Sequence, residues 1–186
     1  MTNSPDIWKI KQSDHIADCK IFKVRRDLSE NTSGKESNFY VIENPNWVNV
    51  LAMTKDQKVI IIEQFRHGTG EITIEIPGGM VDEGEEAVDA AQRELVEETG
   101  FTPREMIPLG KCRPNPAIQD NWLYHFLAID CEKTHEVEFD STESVVTKLI
   151  DFVEFSDLIA TEQITHSAVL VAFLKSQLHL QKNLEK

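Results

Sequence analysis

The chain has 186 residues, 40% apolar and 27% charged, which suits one compact globular core with a small N-terminal elaboration and excludes a fibrous or wholly disordered chain. A formal charge of −13 argues against broad nucleic-acid binding, which needs a basic face towards phosphate. Cys19, Cys112 and Cys131 form no CxxC pair, so a reducing, cytoplasmic setting is expected; there is also no leader-like N-terminus and no apolar run near the roughly 18 residues that span a membrane.

Residues 19–26 alternate like a strand, and 29–37 form a polar turn region around Gly34. Residues 39–42 and 48–53 read as further strands. A tight connection at 54–57 leads into 59–65, whose Val-Ile-Ile-Ile run predicts a strand buried on both faces. Gly68 and Gly70 precede a strand at 72–76, which Pro77-Gly78-Gly79 ends abruptly. Residues 86–99 are expected to be helical, with Ala87, Val88, Ala91 and Leu95 as an apolar stripe and Gly100 as the stop. Strands at 123–129 and 145–153 and an amphipathic helix at 165–183 complete the chain. The fold class is therefore α/β (α+β).

Charge is concentrated in one place. Residues 75–98 hold nine acids and a single base, Arg93, a net −8. Such a run is ordinarily a solvated face. Within it, however, Glu94, Glu97 and Glu98 stand at i, i+3 and i+4, so three carboxylates share one side of the helix. Like charges this close destabilise a bare helix, and hard divalent cations with oxygen ligands would compensate. The upstream glycines let backbone approach a ligand closely. Carboxylate-held cations suit phosphoryl transfer, where they neutralise substrate charge while water attacks phosphorus.

Gly79, Glu85 and the run Arg93-Glu94-Leu95-Val96-Glu97-Glu98-Thr99-Gly100-Phe101 resemble the Nudix box at every defined position. Seven such letters arise by chance about once in 10⁸ start sites. Glu63-Gln64-Phe65-Arg66, Glu75-Ile76-Pro77-Gly78-Gly79 and Trp47-Val48-Asn49-Val50 look like the ADP-ribose pyrophosphatase and nucleoside-diphosphate-sugar branch.

The resemblance implies an α/β/α sandwich with a mixed central sheet at 46–186 and a small N-terminal β portion at 1–45. That portion is expected to act as a dimerisation element, making a homodimer. It implies Mg²⁺ as cofactor, with Mn²⁺ able to substitute. The metal ligands would be the Gly78 carbonyl, Glu94 and Glu98, with Glu97 serving a second ion or its water. Glu85 would support the site, and Arg93 would tie loop to helix; a simple i,i+4 pair of Arg93 with Glu97 or Asp89 is the plain alternative. Glu143, in the acidic stretch 140–146, matches the position of the general base, with Glu136 and Glu138 as nearby acids.

Arg66 is expected to grip a substrate phosphate, against the alternative of a structural ion pair. Glu75 would bind a ribose hydroxyl or orient the glycine turn. Phe22 is a candidate base platform, as are Trp8, Phe39, Trp47 and Trp122, though each equally fits a core role. Asn121 stands where ADP-ribose pyrophosphatases of the bacterial type commonly carry a Glu, which opens GDP-mannose and similar nucleotide sugars as substrates beside ADP-ribose. The histidines show no metal-ligand spacing. The expected reaction yields a nucleoside monophosphate and a sugar phosphate. Alternatives are hydrolysis of another nucleoside diphosphate derivative or a triphosphate, isopentenyl diphosphate isomerisation (although Cys112 lies outside the box), and a non-catalytic ligand sensor, whose box is usually degraded.

Overall fold

A computed structural model describes residues 4–137 and 144–184 of the chain. It divides into two compact units, Met1–Pro45 with Arg113–Trp122, and Asn46–Cys112 with Leu123–Lys186.

The first unit is built on β1 (Trp8–Asp18), β2 (Lys23–Asn31) and β3 (Glu36–Glu43), an antiparallel sheet in the order β1-β2-β3. The strand expected at 19–26 is in fact the turn between β1 and β2, with Lys20 at φ 66, followed by the start of β2. β1 escapes the apolar-alternation test because nearly all of it faces solvent. Arg25 fastens the segment 113–122 to this sheet, pairing with Asp27 (3.0 Å), Glu43 (2.8 Å) and Asp120 (3.2 Å).

The second unit contains β4 (Trp47–Thr54), β5 (Lys58–Arg66), β6 (Glu71–Glu75), β7 (Gly78–Met80), α1 (Ala87–Thr99), β8 (Phe101–Thr102), β9 (Glu105–Cys112), β10 (Leu123–Lys133), β11 (Val145–Asp151), α2 (Phe152–Ala160) and α3 (Ser167–Leu184). Among the described residues its strands form one mixed sheet. The path β11-β5-β4-β10-β8 has β6 on β5, β7 on β4 and β9 on β10, and the β4–β10 pair is parallel. The strand expected at 145–153 stops at Asp151, where the chain turns into α2.

Period-two alternation sorts the core onto the two faces of this sheet. Val48, Val50 and Ala52 of β4, Ile60 of β5 and Phe126 and Ala128 of β10 pack with Ala90, Ala91 and Leu95 of α1. Leu51, Val59, Ile61 and Leu127 pack on the other face with Phe155 of α2 and with Val169 and Ala172 of α3. This helix–sheet–helix layering is the sandwich. Each fully buried Leu or Ile contributes roughly 1.5–3 kcal/mol, and the two faces together hold the sheet rigid beneath the loop between β6 and α1.

Helix α1 stops where Gly100 turns left-handed at φ 75 and its N–H bonds the Val96 carbonyl at 2.8 Å. A side chain at Gly100 would also overlap the His135 carbonyl oxygen. The end of α1, and hence the placing of its carboxylates, depends on that glycine.

Candidate active site

Pro77 bends the chain after β6, and β7 then runs against β4 with Gly78 opposite Asn49 and Gly79 opposite Val48. Pairing therefore continues through a stretch whose sequence suggests only a strand end. The approach is as close as the backbone permits. A Cβ at Gly78 would stand 2.8 Å from Asn49 Cα and overlap the Val48 carbonyl, and one at Gly79 would overlap the Glu94 carboxylate. The Gly78 N–H donates to Glu98 Oε2 at 2.9 Å. Glu94 and Glu98, one helical turn apart on α1, thus close on two consecutive glycines.

Arg93 ties the loop to the helix. Its Nε and Nη2 donate to the two oxygens of Glu85 at 3.0 and 2.9 Å. Nη1 donates to Glu94 at 2.9 Å and Glu97 at 3.2 Å, and Nη2 also reaches the Met80 carbonyl at 3.0 Å. The Glu85 bonds, outweighing partial burial and joined by those to Glu94 and Glu97, raise the pKa of Arg93. Arg93 in turn, with the Asp82 N–H, holds the Glu85 carboxyl below its usual range. Glu97 reaches outward, with 56% of its side chain exposed.

Among the described residues no three His, Cys, Asp or Glu side chains are already gathered as a metal-holding set. Arg93 spans Glu85, Glu94 and Glu97, while the Gly78 amide takes an oxygen of Glu98. The donors are nevertheless all hard oxygens crowded around a backbone turn, the chemistry that a Mg²⁺-like ion accepts. On that ground the residues fit a divalent ion.

Arg66 and Glu75 form a two-pronged ion pair, Nε to Oε1 and Nη2 to Oε2, both at 2.7 Å. Thr73 Oγ1 adds a bond to Glu75 at 2.6 Å. Burial works against the Glu75 charge, but Arg66 and Thr73 outweigh it and lower the pKa. The Arg66 side chain is 42% exposed while that of Glu75 is 4% exposed, so the pair runs from solvent into the interior.

Phe22 and Asn121 lie in the first unit. Phe22 is half-buried in the β1–β2 turn, its carbonyl accepting the Cys19 N–H at 2.9 Å. Asn121 is 2% exposed, and among the described residues neither its amide nitrogen nor its amide oxygen has a hydrogen-bond partner. Beside it, Arg113 stacks on the Trp122 ring at 3.6 Å. Trp8 and Phe39 meet edge to face at 4.9 Å. Glu143 and Glu138 lie outside the described residues. Glu136 is 93% exposed and pairs with Lys133 at 3.7 Å.

A polar chain, Asn49–His125–Cys112, runs across β4, β10 and β9, with Asn49 and His125 buried and Cys112 half-buried. The sequence carries a faint signal for it, a polar residue interrupting each of the apolar runs at 48–53 and 123–129.

Residues 44–173 match the NUDIX domain model. An ADP-ribose pyrophosphatase of Bacillus subtilis (strain 168) is 31% identical over 155 residues, covering 81% of this chain and 84% of that protein. A methanol dehydrogenase activator of Bacillus methanolicus is 27% identical over 171 residues, 91% of this chain and 92% of that one. Among solved structures, an ADP compounds hydrolase superposes with a TM-score of 0.86 at 21% identity, covering 98% of both chains.

Proposed function

Because the chain belongs to the Nudix family and is a pyrophosphohydrolase of ADP-ribose pyrophosphatase-like type, we propose that its substrate is a nucleoside diphosphate sugar, cut at the pyrophosphate bond to a nucleoside monophosphate and a sugar phosphate. The observation that carries the reading is the closure of Glu94 and Glu98 on the Gly78–Gly79 turn. ADP-ribose is the first candidate on the strength of the Bacillus subtilis relative, with GDP-mannose the next.

Mg²⁺, with Mn²⁺ as substitute, would be held by the Gly78 carbonyl, Glu94 and Glu98, with Glu97 at the outer side. Bound there, it would neutralise diphosphate charge and acidify water. Glu85 and Arg93 keep the loop against α1. The solvent-open edge of Arg66 serves the substrate phosphate, oriented by Glu75. Glu143 is the proposed base. The described chain resumes at residue 144, and Thr147 Oγ1 donates to the Glu98 carbonyl at 3.0 Å, so β11 enters beside the end of α1. Asn121 and Phe22 are proposed to shape the sugar and base pockets. The strands of residues 1–45, with Ile10, Ile16 and Tyr40 exposed, form the proposed homodimer contact. No described helix is long and apolar enough to cross a membrane.

The test is a panel of ADP-ribose, GDP-mannose, other nucleotide sugars and nucleoside triphosphates, with Mg²⁺ or excess chelator. Chromatographic detection of the nucleoside monophosphate is the readout. Metal-dependent release from one or more nucleotide sugars is expected. Turnover confined to triphosphates, or unaffected by chelator, would overturn the assignment.

A further inference from the structure

We propose that Asn49 is a positioning residue for the glycine turn, holding Gly78 in register through a hydrogen-bond chain that crosses the sheet to Cys112. Asn49 is directly opposite Gly78, and at 5% exposure it is sealed in the interior. Its side chain is committed on the α3 side of the sheet. Nδ2 donates to the Ala168 carbonyl at 2.8 Å, in the first turn of α3. Since that nitrogen supplies the donor there, Oδ1 is the acceptor facing His125 Nδ1 at 2.7 Å. This assigns the Nδ1–H tautomer. Nε2 is then free to accept the Cys112 thiol at 3.2 Å. His125 is fully buried, and burial, with Lys175 acting in the same direction, depresses its pKa to about 4. The chain is neutral throughout, and each contact pairs a donor with an acceptor, the condition under which a buried polar network rigidifies its surroundings.

The consequence reaches Gly78 through the backbone. The Pro77 carbonyl accepts the Val50 N–H at 2.8 Å, one residue beyond Asn49. The Gly78 Cα leaves no room for a Cβ against Asn49 Cα. From the α1 side Glu98 holds the Gly78 amide. The turn is thus gripped between a carboxylate on one face and a strand bolted to α3 on the other. With Asn49 released from Ala168 and His125, that stretch of β4 could move away from α1 and widen the gap that Gly78 and Glu98 close.

This inference rests on the reading of Gly78, Glu94 and Glu98 as the cation's oxygen donors, so its test separates the two. In the cation-free protein, Asn49→Ala should stay cooperatively folded by circular dichroism and shift the Gly78 amide resonance. Calorimetry should show Mn²⁺ binding weakened about tenfold, the lower end of what loss of a supporting partner costs a metal site. Long-range ¹H–¹⁵N spectra near neutral pH should show His125 as the Nδ1–H tautomer in the wild type. If Asn49→Ala does not fold, His125→Gln removes the ring donor while leaving Asn49 in place, and should weaken Mn²⁺ about threefold or more. A folded variant with Mn²⁺ affinity within about twofold of wild type and an unmoved Gly78 resonance overturns the positioning role. So does a wild-type His125 in the Nε2–H tautomer. Glu98→Gln tests the reading beneath. Unchanged Mn²⁺ affinity there overturns both, whereas lost affinity there with normal affinity in Asn49→Ala overturns only the positioning role.

Discussion

The two sides of the Gly78–Gly79 turn are held by opposite chemistry. Towards α1 the groups are ionic. Glu85, Glu94, Glu97 and Arg93 form one network in which each charge has a partner and the outer members stay in contact with water. Towards α3 the groups are polar but uncharged, with Asn49, His125 and Cys112 linked end to end and His125 fully buried. Charge is affordable on the first side because exposure and counter-charge limit desolvation. On the second side burial leaves the neutral imidazole as the stable form. The comparison teaches that the charged groups are kept where a guanidinium and some solvent reach them, while the sealed side of the sheet is joined by neutral hydrogen bonds.

The largest effect should come from Glu98, which holds the Gly78 amide from the α1 side. Glu98→Gln keeps the shape, and the amide can still face the Gly78 N–H, so melting should be near normal. Turnover of the proposed nucleotide-sugar substrate at saturating Mg²⁺ should fall by at least about 100-fold, because loss of a proposed ligand should outweigh the 10–100-fold typical of supporting groups. A wild-type rate would remove Glu98 from the site.

Arg93→Lys should be milder. A lysine keeps the charge but cannot span both oxygens of Glu85 while also reaching Glu94 and Met80. A loss of about tenfold in kcat/KM is expected from the slackened loop, and it should be larger than the change in melting temperature suggests. An unchanged kcat/KM would show that Glu85 and the helix need no such tie.

The neutral side can be sharpened with pH. His125 has a folded pKa of about 4 against an ordinary 6.5, so the unfolded chain takes up a proton before the native one does. Its contribution is intact above 6.5 and is lost as pH falls from 6.5 towards 4. Melting curves across that window should therefore decline more steeply for wild type than for His125→Gln. Parallel curves would mean that the imidazole titrates normally in the fold.

The smallest effect is expected at Glu75, whose folded pKa lies below 4.5. The stabilisation from its charge is complete above 4.5 and disappears as pH falls through the folded value. The stability gap between wild type and Glu75→Gln should be constant near neutrality and shrink in acid. A gap that persists unchanged at low pH would assign the effect to packing rather than to the Arg66 ion pair.

Local patterns were readable where periodicity and burial agree. The strand at 59–65, the strand at 48–53 and the helix expected at 86–99, found at Ala87–Thr99, all announce themselves, because each buries a face whose spacing is visible in the chain. Other elements did not, β1, β9 and α2 among them. β1 is almost wholly exposed, so no apolar face marks it. β9 carries Pro108 and Gly110, the latter at φ 90 beside a register shift, and such residues read as breakers. α2 follows β11 without a gap, and its Phe152 and Val153 extend the apolar run, so strand and helix look like one strand.

At the site the division is similar. Helical spacing alone brings Glu94, Glu97 and Glu98 to one side of α1, and the box pattern alone identifies the family, since both are properties of neighbours in sequence. The pair of Arg93 with Glu97 was open to sequence as an i,i+4 contact, but tertiary structure decided the others: the Gly78 amide for Glu98, the ion pair of Arg66 with Glu75, and the Asn49–His125–Cys112 chain joining residues far apart in sequence. Such contacts depend on strand register and on which face each residue takes, and register is set by the packing of the whole sheet between its helices rather than by any local run of residues.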